Sequence, residues 1–432
     1  MLSEETGRPL ADALVLSHPE QLDRLQAACP EAAPTAVLAG DPCFDRMLAA
    51  RSYRERFRNA FGVRRGQRFV VLNSTWNPDS LFGDAGEDVL PWLLPRLSAE
   101  LPADEYRVAV VLHPNIWHGH GPGQIRAWLD RARRSGLALI DPLEDWRQAL
   151  IAADAVIGDH GSVSYYAAAL GVPVLLGAAP ESGLDPLAPV SDFVRRAPRL
   201  DVYAPLLPQV ASLLAGHQCL AGPKEFTTSL PGEAALRLRR LFYALVGVSE
   251  PPWPALLEPL PMPAYTPVSH TAPLRVLTRL LDGTDAVAVE RYAAPVYEPV
   301  ATGGAQAEAH TAVHEDTRDV SALGLADVIF REGSAEDPRW GGPARWTAEV
   351  LDMHRHCALA AFVTGPGECV ARIRGGEVLR LLPGPDGPDP AACASALYAR
   401  LAAGSSPDEI VAQGLTVRTG RTTHLVAVTT GE

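Results

Sequence analysis

The sequence almost lacks lysine. The chain has 432 residues with 38 Lys and Arg in total, yet Lys224 is its one lysine and the remainder are arginines. Lys224 lies in Ala-Gly-Pro-Lys-Glu-Phe, which is not the G-x-x-x-x-G-K-[ST] loop. A lysine gripping phosphates after a glycine-rich turn is therefore absent. This excludes P-loop ATPases and GTPases, and kinases that depend on a strand lysine. A Schiff-base enzyme would have to use Lys224 itself.

Cysteine is also sparse. Cys29, Cys43, Cys219, Cys357, Cys369 and Cys393 form no C-x-x-C pair, so free and mostly buried thiols in a reducing compartment are expected. There is no G-x-S-x-G nucleophile turn and no H-E-x-x-H. D-x-D is missing as well, so a metal-dependent nucleotide-sugar site of that type has no support. His113, His118 and His120 are spaced for neither a helical nor a hairpin ligand pair, and no cysteine is near. No metal and no cofactor are expected. The longest apolar stretch, 167–179, is interrupted by Gly171, Pro173 and Gly177 and falls short of the ~20 residues that span a bilayer. The start is acidic with no apolar core of a signal peptide, so the expected location is cytoplasmic. A net charge of -13 argues against general nucleic-acid binding and against anionic membranes. Nothing in the sequence indicates an oligomeric state.

What is present is a globular composition, 47% hydrophobic and 21% charged, long enough for two or three domains. Short Val/Ile/Leu-rich runs occur at 13–16, 37–39, 69–72, 108–112, 137–140, 155–157 and 174–176. Helix-periodic segments separate them. In 124–133, for example, Ile125, Trp128, Leu129 and Ala132 share one face. Strands alternating with helices, and runs with little polar alternation, predict a doubly wound, Rossmann-like α/β domain with a parallel sheet covered on both faces.

Residues 1–50 supply two strands and one helix, too little for a domain, and read as the last piece of one. The Rossmann-like unit is expected over 51–250, opening with a joining helix at 51–61. Seven prolines within 251–267 mark a stiff linker, taken as 251–271. Residues 272–432 are expected to be a separate α+β domain. In it, 274–281 and 391–402 read as helices, 357–363, 369–373, 378–382 and 424–428 as strands, and 298–320 as an acidic loop.

Three places could carry chemistry. The first is Asp159-His-Gly-Ser-Val-Ser164, where a strand ends and a helix starts near Ser162. The N–H groups of Gly161, Ser162 and Val163 would be unpaired there, at the positive end of the helix dipole, with Ser162 and Ser164 hydroxyls beside them. Taken alone, Asp159 or Ser162 reads more simply as a helix cap. The second is His113, just past a strand end, where a histidine can act as general acid or base, bind phosphate, or be an ordinary loop residue. The third is Asn73-Ser-Thr-Trp-Asn77, which puts the small hydroxyls of Ser74 and Thr75 at the end of the domain's first strand, as ligand contacts or as turn caps. Gly119-His-Gly-Pro-Gly123 is a weak dinucleotide loop, because Gln124 stands where G-x-G-x-x-G needs glycine.

In their order along the chain these motifs resemble the nucleotide-binding half of GT-B transferases, and most closely the CDP-glycerol glycerophosphotransferase-like group. The group's Gly-x-Pro-Arg-x-Asp appears here as Gly40-Asp-Pro-Cys-Phe-Asp45, its Pro-Thr-Trp-Arg as Ser74-Thr-Trp-Asn77, and its His-Pro as His113-Pro114. Its Asp-Tyr-Ser-Ser-Val-x-x-Asp and following Leu-Gly-x-Pro appear as Asp159-His-Gly-Ser-Val-Ser-Tyr-Tyr166 and Leu170-Gly-Val-Pro173. The resemblance covers 13–245 and implies a metal-free transfer from a CDP- or UDP-activated small-molecule donor. It implies that the helix start at Ser162, with Ser74, Thr75, Asp159, His160, Gly161 and Val163, holds the nucleotide, and that His113 assists the leaving phosphate. Cys43 and Asn77 replace arginines and Tyr166 replaces the acid, which weakens diphosphate and sugar recognition. The alternative is a non-catalytic nucleotide-binding or scaffold protein.

Overall fold

The computed structural model describes residues 2–3, 7–83, 89–268, 270–295, 299, 301, 307–384 and 386–431. A small parallel pair, β1 (Leu14–Leu16) and β2 (Ala36–Leu38), comes first. The central sheet follows, with β3 (Arg68–Ser74), β4 (Tyr106–Leu112), β5 (Ala138–Leu139), β6 (Ala155–Gly158) and β7 (Val174–Leu176). Its order is β5-β4-β3-β6-β7, with every pair parallel. All five strands lie where the apolar runs predicted them.

Alternate strand residues point to opposite faces, and both faces are covered. Phe69, Val71, Ala109, Val111 and Val156 pack with Phe44, Met47, Phe57 and Ala149 on one side. Val70, Leu72, Val108, Val110 and Ile157 pack with Leu93, Leu97, Leu129 and Val210 on the other. The segment expected as one helix at 124–133 is two, Pro122–Trp128 and Asp130–Arg134. Ile125, Leu129 and Ala132 are buried as their spacing requires, but the break turns Trp128 outward to edge-on contact with His120.

The C-terminal unit departs from expectation. Its strands are β8 (Leu274–Leu280), β9 (Ala286–Ala293), β10 (Glu308–His314), β11 (Val328–Glu332), β12 (Leu359–Gly365), β13 (Glu368–Ile373), β14 (Val378–Leu382), β15 (Leu415–Thr419) and β16 (Thr422–Thr430). They close into a barrel of mixed parallel and antiparallel pairs, β10-β11-β12-β13-β14-β16-β15-β9-β8 and back to β10. The helix Pro390–Ala402 fills the barrel, with Pro390 through Leu397 all buried. Its Pro-Ala-Ala-Cys-Ala-Ser-Ala run is slim enough to be ringed by strands. The unit is thus a separate nine-stranded mixed barrel around a helix, which does not confirm the α+β arrangement expected.

Two local expectations fall with it. The helix expected at 274–281 is β8, which forms a hairpin with β9. Leu274, Leu277 and Leu281 have helical spacing, but pairing on both edges of the strand overrides it. The acidic loop expected at 298–320 contains β10; positions 298, 300 and 302–306 lie outside the described residues.

A buried ionic cluster joins the two units. Arg291 on β9 is 2% exposed and makes a two-pronged contact with Asp104, with Nη2 at 2.7 Å from Asp104 Oδ1 and Nε at 3.0 Å from Oδ2. The same Nη2 lies 2.7 Å from Asp389 Oδ2, and Arg64 reaches that oxygen at 2.6 Å. Among the described residues no helix is long and apolar enough to cross a membrane.

Candidate functional site: the carboxyl edge of the parallel sheet

The chain leaves β3 toward β4 and β5 on one side and returns to β6 and β7 on the other. The strand order therefore reverses between β3 and β6, and a crevice opens at their carboxyl ends. Three loops meet there. The His113 amide donates to the Ser74 carbonyl at 3.0 Å, anchoring the loop after β4 to the end of β3. Asp159, fully buried at the end of β6, ties the loop after β6 to the loop after β3. Its Oδ2 accepts from the amides of Thr75 at 2.8 Å and Leu81 at 3.0 Å, and its Oδ1 accepts from the Gly161 amide at 3.0 Å.

Glycine is required in this turn for space. A Cβ on Gly158 would lie 2.3 Å from Asn73 Nδ2 and 2.4 Å from Ser164 Oγ. One on Gly161 would lie 2.9 Å from Asp159 Oδ1 and 3.0 Å from the Thr75 Cβ. The helix Ser162–Ala169 starts directly from Gly161, and among the described residues no side chain caps it. Its first in-helix bond is from the Tyr165 amide to the Gly161 carbonyl, so the amides of the first turn remain donors at the positive end of the helix.

Ser74, Thr75, His113, Asp159, His160, Gly161, Ser162 and Val163 thus share one edge of the sheet, as their sequence positions predicted. Their roles differ in detail. The Gly161 amide is not free, because Asp159 takes it. Asp159 has no exposed surface and spends both oxygens on protein donors, so it shapes the crevice from behind. Ser74 is buried, and its Oγ accepts the Phe82 amide at 3.1 Å. Ser164 is turned inward, donating to Asn73 Oδ1 at 3.1 Å. Thr75, His113, His160 and Ser162 are at least partly exposed.

His113 caps the helix Pro114–His120 with its own ring, Nδ1 accepting from the Asn115 amide at 3.1 Å. That bond puts the proton of the neutral ring on Nε2. Burial lowers the His113 pKa, and the nearby Asp159 carboxylate partly offsets this. The ring is therefore neutral at pH 7 and offers an Nε2–H donor.

No protein-family model matches the chain, and no curated protein does. Solved structures do. The chain is similar to the wall teichoic acid polymerase TagF, at 17% identity over 39% of this chain and 39% of that one, with a TM-score of 0.30. It is similar to the UDP-GlcNAc 2-epimerase of Neisseria meningitidis bound to UDP-GlcNAc, at 12% identity over 55% of this chain and 62% of that one, TM-score 0.33. It is also similar to Anabaena Alr3699/HepE in complex with UDP and glucose, at 14% identity over 55% and 64%, TM-score 0.27. The chain spans less than two thirds of each.

The structure adds residues that the sequence did not single out as contacts. Trp76 is 58% exposed, with its ring 6.3 Å from that of His113. Asn77 Nδ2 donates to His160 Nε2 at 3.2 Å, leaving Asn77 Oδ1 and His160 Nδ1 buried without partners among the described residues. Tyr166, where the resemblance has an acid, donates its hydroxyl to Asp41 at 2.7 Å. Asp45 of the first motif is buried and accepts the Gly232 and Ala234 amides, fixing the helix Ala234–Val246. Among the described residues no three His, Cys, Asp or Glu side chains gather as metal ligands.

Proposed function

We propose that the crevice binds the diphosphate of a nucleotide-activated donor, and that the chain is the nucleotide-binding part of a metal-independent GT-B-like glycosyl- or glycerophosphotransferase. The uncapped start of the helix at Ser162, on the same sheet edge as the neutral His113 ring, carries this reading. Amides of Ser162 and Val163 and the helix dipole replace the countercharge that a metal supplies elsewhere. His113 Nε2–H points a donor at the phosphate oxygen that gains charge as the donor bond breaks. Thr75 and His160 line the approach, with Ser74 and Asp159 positioning the loops behind them. The motif resemblance over 13–245 supports the donor class.

Calorimetric titration with CDP and UDP tests this. Saturable binding of either is expected, and silence from both with a folded protein overturns it.

A second reading, nucleotide binding without transfer, is favoured by Tyr166. Its hydroxyl is committed to Asp41 where the resemblance has a carboxylate for ribose or substrate hydroxyls. Binding without turnover of CDP-glycerol or UDP-sugars selects it.

A further inference from the structure

A second cleft lies at the opposite, amino-terminal edge of the sheet, between the Rossmann-like unit and the mouth of the barrel. Its volume is about 920 Å³, room for a ligand larger than a free ion. The Rossmann-side wall carries Arg54, Arg58, Arg64, Arg65 and Arg68. The first three are committed. Arg54 and Arg58 each hold Asp154 at 2.8 Å, and Arg64 holds Asp389 at 2.6 Å.

The other two differ. Arg65 faces the cleft with no carboxylate in ion-pair range among the described residues. The Arg68 side chain is 48% exposed and reaches Asp154 only at 4.0 Å, a carboxylate that Arg54 and Arg58 already share. The Rossmann-side wall also carries Glu55, 3.8 Å from Arg58, besides Asp154, whereas the barrel-side lining has carboxyl groups and no cation among the described residues. Glu332 at the end of β11 and Asp386 face the same space, and neither holds a cation among the described residues. One wall offers an unpaired guanidinium, Arg65, and a long-range paired one, Arg68, and the other offers two carboxyl groups with no ion-pair partner among the described residues.

We propose that this cleft is a second binding site, for a phosphorylated polyhydroxy small molecule. Arg65 and Arg68 hold its phosphoryl group, and Glu332 and Asp386 accept from its hydroxyls. Guanidinium forks match phosphoryl oxygens, and carboxylates are acceptors suited to a diol. A ligand there touches both units and pins the barrel mouth to the segment 62–68. The site shares no residue with the crevice at the carboxyl edge, so it stands or falls separately.

Calorimetric titration of the full chain with glucose 6-phosphate, inorganic phosphate and glucose tests it. Glucose 6-phosphate is expected to bind saturably and more tightly than inorganic phosphate, with glucose silent. The double variant Arg65→Ala/Arg68→Ala, at exposed positions, weakens glucose 6-phosphate at least tenfold. Glu332→Gln/Asp386→Asn removes the advantage of glucose 6-phosphate over inorganic phosphate. His113→Ala leaves all three titrations unchanged, which separates this site from the nucleotide crevice. The proposal is overturned by no saturable binding up to about 10 mM, by binding indifferent to the arginine variant, or by inorganic phosphate binding as tightly as the sugar phosphate.

Discussion

Asp159 Oδ2 accepts the Thr75 amide at 2.8 Å, joining the loop after β6 to the loop after β3 across the point where the sheet reverses its strand order. The same carboxylate takes the Leu81 and Gly161 amides, so three backbone donors converge on one buried charge. Asp159→Ala leaves all three without an acceptor. A loss of about 3 kcal/mol in unfolding free energy is expected, together with weaker CDP or UDP binding, because the crevice walls separate. Denaturant unfolding read alongside nucleotide titration checks both; a variant as stable as the parent contradicts the clamp.

In the proposed function, His113 acts on the leaving phosphate and not on binding. Its ring is held by the Asn115 amide, with Nε2–H left as the donor. His113→Ala is expected to keep nucleotide affinity within a few-fold while turnover of the activated donor falls about 100-fold or more. His113→Gln, whose amide can present an N–H nearby, is expected to recover part of the rate. Equal loss of affinity and turnover in the alanine variant contradicts a role specific to the leaving phosphate.

The central sheet was legible in the sequence because both of its faces are covered. Runs such as 69–72 and 155–157 need no alternation, and helix-periodic stretches separate them. That the candidate residues share one sheet edge was legible for the same reason, since each follows the carboxyl end of a strand. What hydrogen-bonds to what was not legible. Ser162 and Ser164 look alike in the sequence, but Ser164 is turned inward by Asn73 on the neighbouring strand, a contact 91 residues away in the chain. The barrel was hidden further. Its closure rests on pairings such as β8 with β10, β9 with β15 and β14 with β16, and no local pattern encodes them. Leu274, Leu277 and Leu281, in β8 and just past it, even carry a helical period.

Acid is expected to destabilise the barrel through histidines held neutral. His310, 2% exposed and tilted against the Tyr398 ring, has its pKa lowered to about 3 by burial, with Arg275 adding to the effect. His314 is lowered to about 4 by burial, with Asp316 opposing and Arg331 assisting. Both are depressed below their unfolded value, so their contribution is whole above about pH 6.5 and is lost as pH falls toward 4. Each proton taken up only by the unfolded chain costs about 1.4 kcal/mol per pH unit. His310→Phe keeps a ring against Tyr398 and removes one titrating group. The fall in stability between pH 6.5 and 4.5, followed by denaturant unfolding, is expected to be shallower in that variant than in the parent.

Arg291 ties the two units together through Asp104 and Asp389. Asp104 belongs to the Rossmann-like side, and Asp389 caps the central barrel helix by accepting the Ala391 amide at 3.0 Å. Their shared cation holds the Asp389 carboxyl well below the usual range despite its burial. Arg291→Ala strands two buried carboxylates, with Arg64 left to neutralise only Asp389. A loss of about 3–5 kcal/mol is expected, the usual consequence of breaking a buried charge network from one side. Because the cluster lies at the junction, the loss is expected to show as uncoupling. Calorimetric unfolding that is one transition in the parent should separate into two, the barrel melting apart from the parallel sheet. Arg291→Lys, with one ammonium in place of a fork, cannot span both carboxylates and should fall between the two. A single unshifted transition in Arg291→Ala would show that the remaining contacts, the Arg64–Asp389 pair and the Ala103 amide on the Arg291 carbonyl among them, hold the junction without the guanidinium.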